Sequence, residues 1–311
     1  MPIERLILAV PACAIVAAVL CAHPATAAPV EEPHSAKESL LWSRLRERVV
    51  AVEQGLDGVL GVSVKDLGTG ATLEVRPEET FPQASSIKLA VLYELYRRAD
   101  EGDLDLQETT SPPSPRAGGG GVLELLGDRA RLTWRDLAVL MVGWSDNDAT
   151  NAVIDRLGST AVNRRMDELG LPETRLRRRM MDVEAARRGE ENVSTPREMR
   201  RLAEAVYAGA GLKPGLAGDL RAVASVPKHS AFEVALPAGV VVAGKTGYLD
   251  GVRCWSAVVA VPDRPYSVAV MATYLRRDAD GEAAIRDVAT AVHETLDRLG
   301  RSSDLGRGLR D

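Results

Sequence analysis

Residues whose types and spacing suit catalysis lie in three short strings of this chain. The strings are Ser85-Ser86-Ile87-Lys88, Ser145-Asp146-Asn147 and Lys245-Thr246-Gly247. A serine beside a lysine, a second serine beside an amide, and a lysine on an apolar strand are together the parts of a serine acyl-transfer site. Each string recurs by chance when taken alone, so the informative feature is their order along one chain.

The first string predicts a nucleophile and its base. Ser85 and Lys88 lie three residues apart at the start of a predicted helix, which places both side chains on one face. The positive end of the helix favours an oxyanion there, and an apolar environment weakens the hold of Lys88 on its proton. A second Ser-x-x-Lys, Ser225 to Lys228, contains Pro227, which breaks helical geometry; it shows that the spacing alone is unspecific.

The second string has a functional and a structural interpretation. In the functional one, the Ser145 hydroxyl bridges two lysines and passes a proton to a leaving nitrogen, and the Asn147 amide holds the acylamide of the substrate. In the structural one, Asp146 or Asn147 caps a helix that begins at Asp148.

The third string predicts a substrate-binding strand. Lys245 and Thr246 would bind a substrate carboxylate, and Gly247 would leave room for the substrate along the strand. The backbone N–H groups of Tyr248 and Ser85 would form an oxyanion hole. The alternative is a solvated lysine on an edge strand, where lysines are common.

The surrounding sequence predicts an α/β (α+β) fold with an antiparallel five-stranded sheet, flanking helices and an all-helical lobe. Predicted strands cover 58–65, 71–76, 239–243, 253–262 and 266–275, and predicted helices start at Ser35, Ser85, Thr133, Asp148, Val162 and Thr195, with a last helix at 281–299. The catalytic domain is expected at 35–299, with a sheet lobe (35–80 and 215–299) and a helical lobe (81–214). A flexible tail is expected at 300–311.

The N-terminus predicts export. An apolar run at 6–22 and small residues up to Ala28 are typical of a signal peptide at 1–28, followed by a linker at 29–34. We therefore expect a secreted or periplasmic enzyme without stable membrane association once the leader is cleaved. An uncleaved leader acting as an anchor is the alternative.

Charge and the cysteine and histidine content limit the kinds of ligand that the protein is expected to bind. The 311 residues carry a formal net charge of −5, which argues against nucleic-acid binding. After leader removal Cys254 is the single cysteine, and His34, His229 and His293 show no ligand-like spacing, so neither a metal nor a cofactor is expected. The protein is expected to be a monomer.

The three strings, in this order, resemble the class A β-lactamases, within the penicillin-recognising serine enzymes. Their flanks agree: Leu132 to Leu137 precede the second string, and Asp148 to Asn151 follow it. The resemblance extends over roughly residues 40–298. It implies a serine hydrolase that forms an acyl-enzyme on Ser85 and hydrolyses the β-lactam ring, so the expected partner is a small β-lactam or a peptide ending in D-Ala-D-Ala.

One element of that family is missing. Class A β-lactamases carry a loop glutamate that activates water for release of the acyl group, within a Glu-x-x-Leu-Asn string that this chain lacks. Asp182 and Glu184 are the nearest acidic residues, and surface ion pairs with the many arginines are the alternative for both. Arg253 is a second candidate cation for the substrate carboxylate, or else an exposed strand arginine.

Three functions remain open from the sequence. The first is a β-lactamase. The second is a D-alanyl-D-alanine carboxypeptidase or related cell-wall hydrolase that releases β-lactams slowly. The third is a binding protein that captures β-lactams or peptidoglycan stems without turnover.

Overall fold

The computed structural model describes residues 35–262, 264–303 and 305–308. The predicted leader and linker lie outside the described residues. Within these ranges, every helix is too short or too polar to cross a membrane.

A five-stranded antiparallel sheet forms the centre of the fold, as predicted. Its strands are β1 (Val59–Asp66), β2 (Thr72–Val75), β7 (Val241–Leu249), β8 (Val252–Ala260) and β9 (Tyr266–Thr273). Their order is β2-β1-β9-β8-β7, so the two N-terminal strands pair with the three C-terminal ones. The strand that carries Lys245 and Thr246 is therefore an edge strand, open on one side to a substrate.

Four very short strands form two ribbons outside this sheet. β3 (Phe81–Pro82) pairs with β6 (Val193–Ser194), and β4 (Thr109–Thr110) pairs with β5 (Leu132–Thr133). The first ribbon ties the segment just before Ser85 to the end of the loop at 177–195. No sequence pattern predicted either ribbon.

Ten α-helices surround the sheet in the described part of the chain. They are α1 (Ala36–Gly55), α2 (Lys88–Glu101), α3 (Trp134–Gly143), α4 (Asn147–Leu157), α5 (Ser159–Glu168), α6 (Val183–Arg187), α7 (Pro196–Ala208), α8 (Pro214–Ala224), α9 (Ala231–Val234) and α10 (Asp278–Gly300). Short 3-10 turns lie at Ala84–Ile87 and Leu123–Leu125.

Two apolar cores lie on opposite faces of the sheet. On one face, residues of α1 and α10 such as Leu45 and Val292 pack against strand residues such as Trp255. On the other, α2, α3, α7 and α8 pack together around residues such as Leu92 and Met141. The α2 helix is buried nearly all round, as its apolar sequence predicted. The start of α2, where Lys88 lies, is thus shielded from water.

Helix starts follow their predicted capping residues. The hydroxyls of Ser35, Thr133 and Thr195 accept from the third backbone N–H after them, at 3.2, 3.0 and 3.2 Å. The largest difference from the predicted bounds is at β7, which continues to Leu249 instead of ending at residue 243. Smaller differences include α4, which begins at Asn147 because Asp146 is its cap, and α2, which begins at Lys88 because a 3-10 turn holds Ser85. The helices α6, α8 and α9 were not predicted.

Candidate active site

Ser85 lies in the 3-10 turn that leads into α2. Two hydrogen bonds fix the position of this turn. The Ser86 hydroxyl donates to the Gln83 carbonyl (2.7 Å), and the Gln83 amide donates to the Val193 carbonyl (2.9 Å). The edge strand β7 passes close beside it. A Cβ on Gly247 would lie 2.4 Å from the Gln83 oxygen, so glycine is needed there for the strand to approach the turn. This differs from the predicted reason, which was room for substrate.

Lys88 is fully buried beneath this turn. Its ammonium donates to the Ser145 carbonyl (2.6 Å), the Ser145 hydroxyl (3.2 Å) and the Asn147 amide oxygen (3.0 Å). Burial lowers the pKa of Lys88 to about 7, against the opposing charge of Asp146. At a pH equal to that pKa, half of the molecules carry a neutral Lys88 amine. A neutral amine is required for Lys88 to accept a proton from a serine.

Lys88 does not contact the serine that it is predicted to activate. Among the described residues, no hydrogen bond joins Lys88 to Ser85. Such catalytic contacts are often absent without substrate and form only in the complex. The two residues nevertheless share one side of the turn, and the hydroxyl of Ser145, which Lys88 does contact, opens onto the same cavity as Ser85.

The second string joins α3 to α4, and the structure confirms its structural interpretation. Asp146 caps α4, accepting from the Ala149 N–H (2.8 Å), as the structural interpretation proposed. Ser145 has a positive φ of 55°, which is rare outside glycine and aims its hydroxyl at Lys88. The Asn147 amide also donates to the Gly118 and Gly119 carbonyls (3.2 Å each), which fixes its orientation.

Lys245 is buried within the edge strand. It is 1% exposed, so the solvated-lysine interpretation is wrong. Its ammonium donates to the carbonyl (3.1 Å) and hydroxyl (3.2 Å) of Thr246. Burial lowers its pKa well below the usual value, and the positive charges of Lys88 and Lys228 act in the same direction. The positive charge of Lys88 therefore favours the neutral form of Lys245.

The second Ser-x-x-Lys of the chain forms a different structure. Lys228 donates to the carbonyls of Ala224 (2.7 Å) and Val226 (2.5 Å), at the C-terminal end of α8. It therefore satisfies carbonyls that the end of the helix leaves unpaired. The predicted failure of Ser225 and Lys228 to build a catalytic pair agrees with this arrangement.

Ser85 opens into a cavity of about 310 Å³ between the helices and β7. The residues that line it are Ala84, Ser85, Gly119, Gly120, Gly121, Trp144, Ser145, Asn147, Arg178, Met180, Met181, Asn192, Tyr248 and Leu249. None of these described lining residues is an aspartate or a glutamate. A larger cavity of about 520 Å³ lies between α1 and α10, on the other face of the sheet, and holds no nucleophile.

The two predicted deacylation residues lie outside the lining of this cavity. Asp182 caps the short helix α6, accepting from the Ala185 N–H at 2.9 Å. Glu184 is 73% exposed and pairs with Arg187 at 2.6 Å. The ion pair of Glu184 is the predicted alternative, whereas Asp182 serves as a helix cap, which was not predicted. Neither carboxylate is among the described lining residues of the Ser85 cavity.

Met180 occupies the place in this loop that faces the cavity. Its N–H donates to the Asn151 amide oxygen (2.8 Å), and the Asn151 amide donates back to its carbonyl (3.1 Å). Asn151 lies one turn after Asn147 on α4, so the helix that positions Asn147 also fixes the backbone of Met180. Sequence reasoning missed both residues; the spacing of the two asparagines was the available signal.

Arg253 is not itself a lining residue of the cavity, but it contacts residues that are: its guanidinium carbon lies 5.2 Å from the centre of the Tyr248 ring. Its guanidinium pairs with Asp278 (2.9 Å) and Glu282 (3.2 Å) and donates to the Leu249 carbonyl (2.8 Å). Two carboxylates neutralise its charge, so the structure does not support its predicted role as a second cation for substrate. Tyr248, by contrast, lines the cavity at the end of β7.

Ser85 and Ser145 line one cavity, Lys88 bonds to Ser145, and Lys245 lies buried on the neighbouring strand β7. A five-stranded antiparallel sheet with flanking helices is the fold expected of the penicillin-recognising serine enzymes. The match of residues 44–296 to the family model confirms the class: the chain belongs to the beta-lactamase enzyme family. It is a class A β-lactamase-like serine hydrolase.

Known proteins agree with this assignment. A β-lactamase of Streptomyces fradiae is 30% identical over 292 residues, which cover 88% of this chain and 92% of that protein. A β-lactamase structure from Sphaerobacter thermophilus matches with a TM-score of 0.74 and 28% identity, covering 82% of this chain and 98% of that one. A mutant of PBP-A, solved as an acyl-enzyme complex with penicillin G, matches with a TM-score of 0.75 and 27% identity, covering 82% and 97%.

Proposed function

We propose that this enzyme opens β-lactam rings by acylation of Ser85 and releases the product slowly. One observation carries the proposal. Lys88 is buried and bonded to Ser145 and Asn147, and the cavity that these two residues line together with Ser85 has no carboxylate among its described lining residues. The bonding of buried Lys88 supports acylation, and the absence of a carboxylate from the described lining supports slow hydrolysis.

The acylation step is assigned to Ser85, Lys88 and Ser145, and it requires Lys88 to reach Ser85 once substrate is bound. Neutral Lys88 takes the proton of the Ser85 hydroxyl, whose oxygen forms a bond to the lactam carbonyl carbon. The N–H groups of Ser85 and Tyr248 stabilise the oxyanion. As the ring C–N bond breaks, Ser145 gives its proton to the leaving nitrogen and regains one from Lys88.

Substrate orientation comes from two groups on either side of the serine. In this proposal the Lys245–Thr246 pair on β7 binds the substrate carboxylate, and Gly247 lets β7 approach the Ser85 turn. Asn147, which lines the cavity, binds the acylamide of the substrate by exchanging its bonds to the Gly118 and Gly119 carbonyls for the substrate.

Release is slow because water has no base at the acyl-enzyme. Asp182 and Glu184 are used in a helix cap and a surface pair, and Met180 faces the cavity instead. A thioether cannot accept the proton of an attacking water. The PBP-A mutant, captured as a penicillin G acyl-enzyme, shows that this fold can hold such an intermediate, which supports the proposal.

The same observation favours a second candidate, a D-alanyl-D-alanine carboxypeptidase that β-lactams inhibit. Such a site has residues for acylation but no carboxylate to activate water for release of the acyl group. It therefore suits an enzyme that turns over a peptide substrate slowly and is inhibited by β-lactams. Release of D-alanine from a stem-peptide mimic identifies this activity. No release, together with steady ring opening, identifies the β-lactamase.

Intact-mass measurement after exposure to benzylpenicillin tests acylation directly. The expected result is an added mass of one penicillin, absent in Ser85→Ala. Ser225→Ala is the matched control, because it removes the serine of the second Ser-x-x-Lys, and it should still acquire the adduct. An adduct on Ser85→Ala, or none on the native enzyme, would overturn the proposal.

We also propose that the enzyme is exported. The apolar run and small residues before Pro29, outside the described residues, support this. Mass and N-terminal sequencing of the protein recovered outside the cytoplasm should show cleavage after Ala27 or Ala28. Recovery of the intact chain in the membrane fraction would instead indicate an anchor.

A further inference from the structure

Gln83 lies two residues before Ser85, and its polar side chain is buried with 0% exposure. Its amide donates to the Val193 carbonyl (2.9 Å), and its amide oxygen accepts from the Ser86 hydroxyl (3.2 Å). An apolar side chain in this position would leave both partners buried without these bonds, which is unfavourable. Gln83 therefore joins the turn that holds Ser85 to β6, at the end of the loop at 177–195.

The backbone of Gln83 makes the same connections. Its N–H donates to the Asn192 carbonyl (2.8 Å), and its carbonyl accepts from the N–H (3.0 Å) and the hydroxyl (2.7 Å) of Ser86. The strand β7 passes so close to this carbonyl that a Cβ on Gly247 would overlap it. Gln83 thus lies where three segments meet: the loop, the Ser85 turn and the edge strand.

Ala84, between Gln83 and Ser85, has a strained backbone. Its φ is 48°, in the left-handed region that residues with a Cβ rarely adopt. Such a conformation persists only where the surroundings hold it. The bonds of Gln83 before Ala84 and of Ser86 after it supply that restraint. The direction of the Ser85 hydroxyl therefore depends on these bonds, because it follows from the backbone at Ala84.

Asn192, which bonds to Gln83, also closes the loop on itself. Its side chain is 2% exposed, and its amide oxygen accepts from the N–H groups of Arg177 (2.7 Å) and Arg178 (3.0 Å). Its amide donates to the Arg178 carbonyl (3.2 Å), and Arg178 pairs with Glu191 at 2.8 Å. We call Arg177, Arg178, Glu191 and Asn192 the loop neck. Through Gln83, the loop neck is bonded to the Ser85 turn.

We propose that Gln83 is a positioning residue for acylation, which couples the loop neck to the direction of the Ser85 hydroxyl. Gln83 is not among the described lining residues of the cavity, so it acts through Ala84 and Ser86 and not by contact with substrate. The loop thus contributes to acylation, although none of its described carboxylates lines the cavity. This inference rests on the proposed acylation of Ser85.

The test separates substrate binding from the acylation step. Rapid-quench intact-mass measurements at several benzylpenicillin concentrations give the acylation rate constant at saturation and the half-saturating concentration. Gln83→Met keeps the length of the side chain and removes both of its hydrogen bonds. It should lower the rate constant about 10-fold and change the half-saturating concentration by less than about 2-fold. Gln54→Met, at an exposed glutamine of α1, is the matched control and should change neither.

Ser86→Ala is the second variant, because it removes the bonds of the hydroxyl to Gln83. It should lower the rate constant about 3-fold, and the double variant should lose less than the product of the two single losses. A folded Gln83→Met enzyme that acylates at the native rate, or that changes only the half-saturating concentration, would overturn the inference. If Gln83→Met does not fold, a native rate constant in Ser86→Ala would do so. Failure of the underlying function gives a different result, since benzylpenicillin would then add no mass to the native enzyme.

Discussion

The buried cluster around Lys88 and the loop at 177–195 meet at one cavity but use their polar groups in opposite ways. In the cluster, Lys88, Ser145 and Asn147 are desolvated and bonded to one another. In the loop, carboxylates such as Asp182 and Glu184 face backbone N–H groups or surface arginines. Polar groups that the proposed acylation uses are thus buried together, whereas the carboxylates of the loop are occupied elsewhere, which is the basis for proposing fast acylation and slow release.

Removing Lys88, the proposed base for acylation, should have the largest effect. Lys88→Met keeps an apolar chain of similar length and should slow acylation of Ser85 about 10²–10⁴-fold, because the serine loses its proton acceptor. The rate of adduct formation by intact mass measures this. Lys213→Met, at an exposed lysine before α8, is the control and should acylate normally. Near-native acylation by Lys88→Met would show that the buried cluster is only structural.

Adding a carboxylate that can activate water for release of the acyl group should have the next largest effect. Met180→Glu places a carboxylate on a backbone that Asn151 already fixes and should speed loss of the adduct by about 10²-fold. Met180→Gln has nearly the same shape without the charge and should release the adduct at the native rate. If both variants release equally, the missing carboxylate is not what limits turnover.

The pH dependence of acylation should follow the neutral fraction of Lys88. Its pKa is lowered to about 7, so protonation below that value removes the base. The acylation rate constant should therefore fall about 10-fold per pH unit below 7 and level off above it. Stopped-flow measurement with a chromogenic cephalosporin from about pH 5 to about pH 10, which spans this pKa and that of an ordinary lysine, checks this. A rate that still rises steeply between about pH 8 and about pH 10 would mean that Lys88 is not the base.

The smallest effect is expected at Arg253. Arg253→Gln should change the acylation rate constant by less than about 3-fold, since the guanidinium is already paired with Asp278 and Glu282. It should lower the free energy of unfolding by about 1 kcal/mol, because the Leu249 carbonyl loses a donor. Denaturant titration and acylation kinetics measure the two. A selective loss for substrates that carry a carboxylate would restore its predicted binding role.

Local sequence signals predicted most of the fold. Alternating apolar residues identified the five strands, and hydroxyl caps at Ser35, Thr133 and Thr195 identified helix starts, because both depend on nearby residues. The end of β7 was missed for a physical reason. Lys245 and Thr246 break the apolar pattern, yet both are buried within the site.

The unpredicted parts of the site depend on contacts between distant segments. The pairing of Arg253 with α10 and the bonding of Met180 to Asn151 join residues far apart in the chain, which no local pattern reports. The absence of a Glu-x-x-Leu-Asn string was visible in the sequence. That a methionine faces the cavity in its stead became visible only in three dimensions.

The lifetime of the acyl-enzyme tests the central claim most directly. The protein is acylated with benzylpenicillin, free drug is removed, and the mass of the remaining adduct is followed over time. The account predicts an adduct on Ser85 that persists for hours. An adduct that disappears within seconds, with steady turnover of fresh penicillin, would contradict it, because an efficient base for water would then have to act in a cavity where none is found among the described residues.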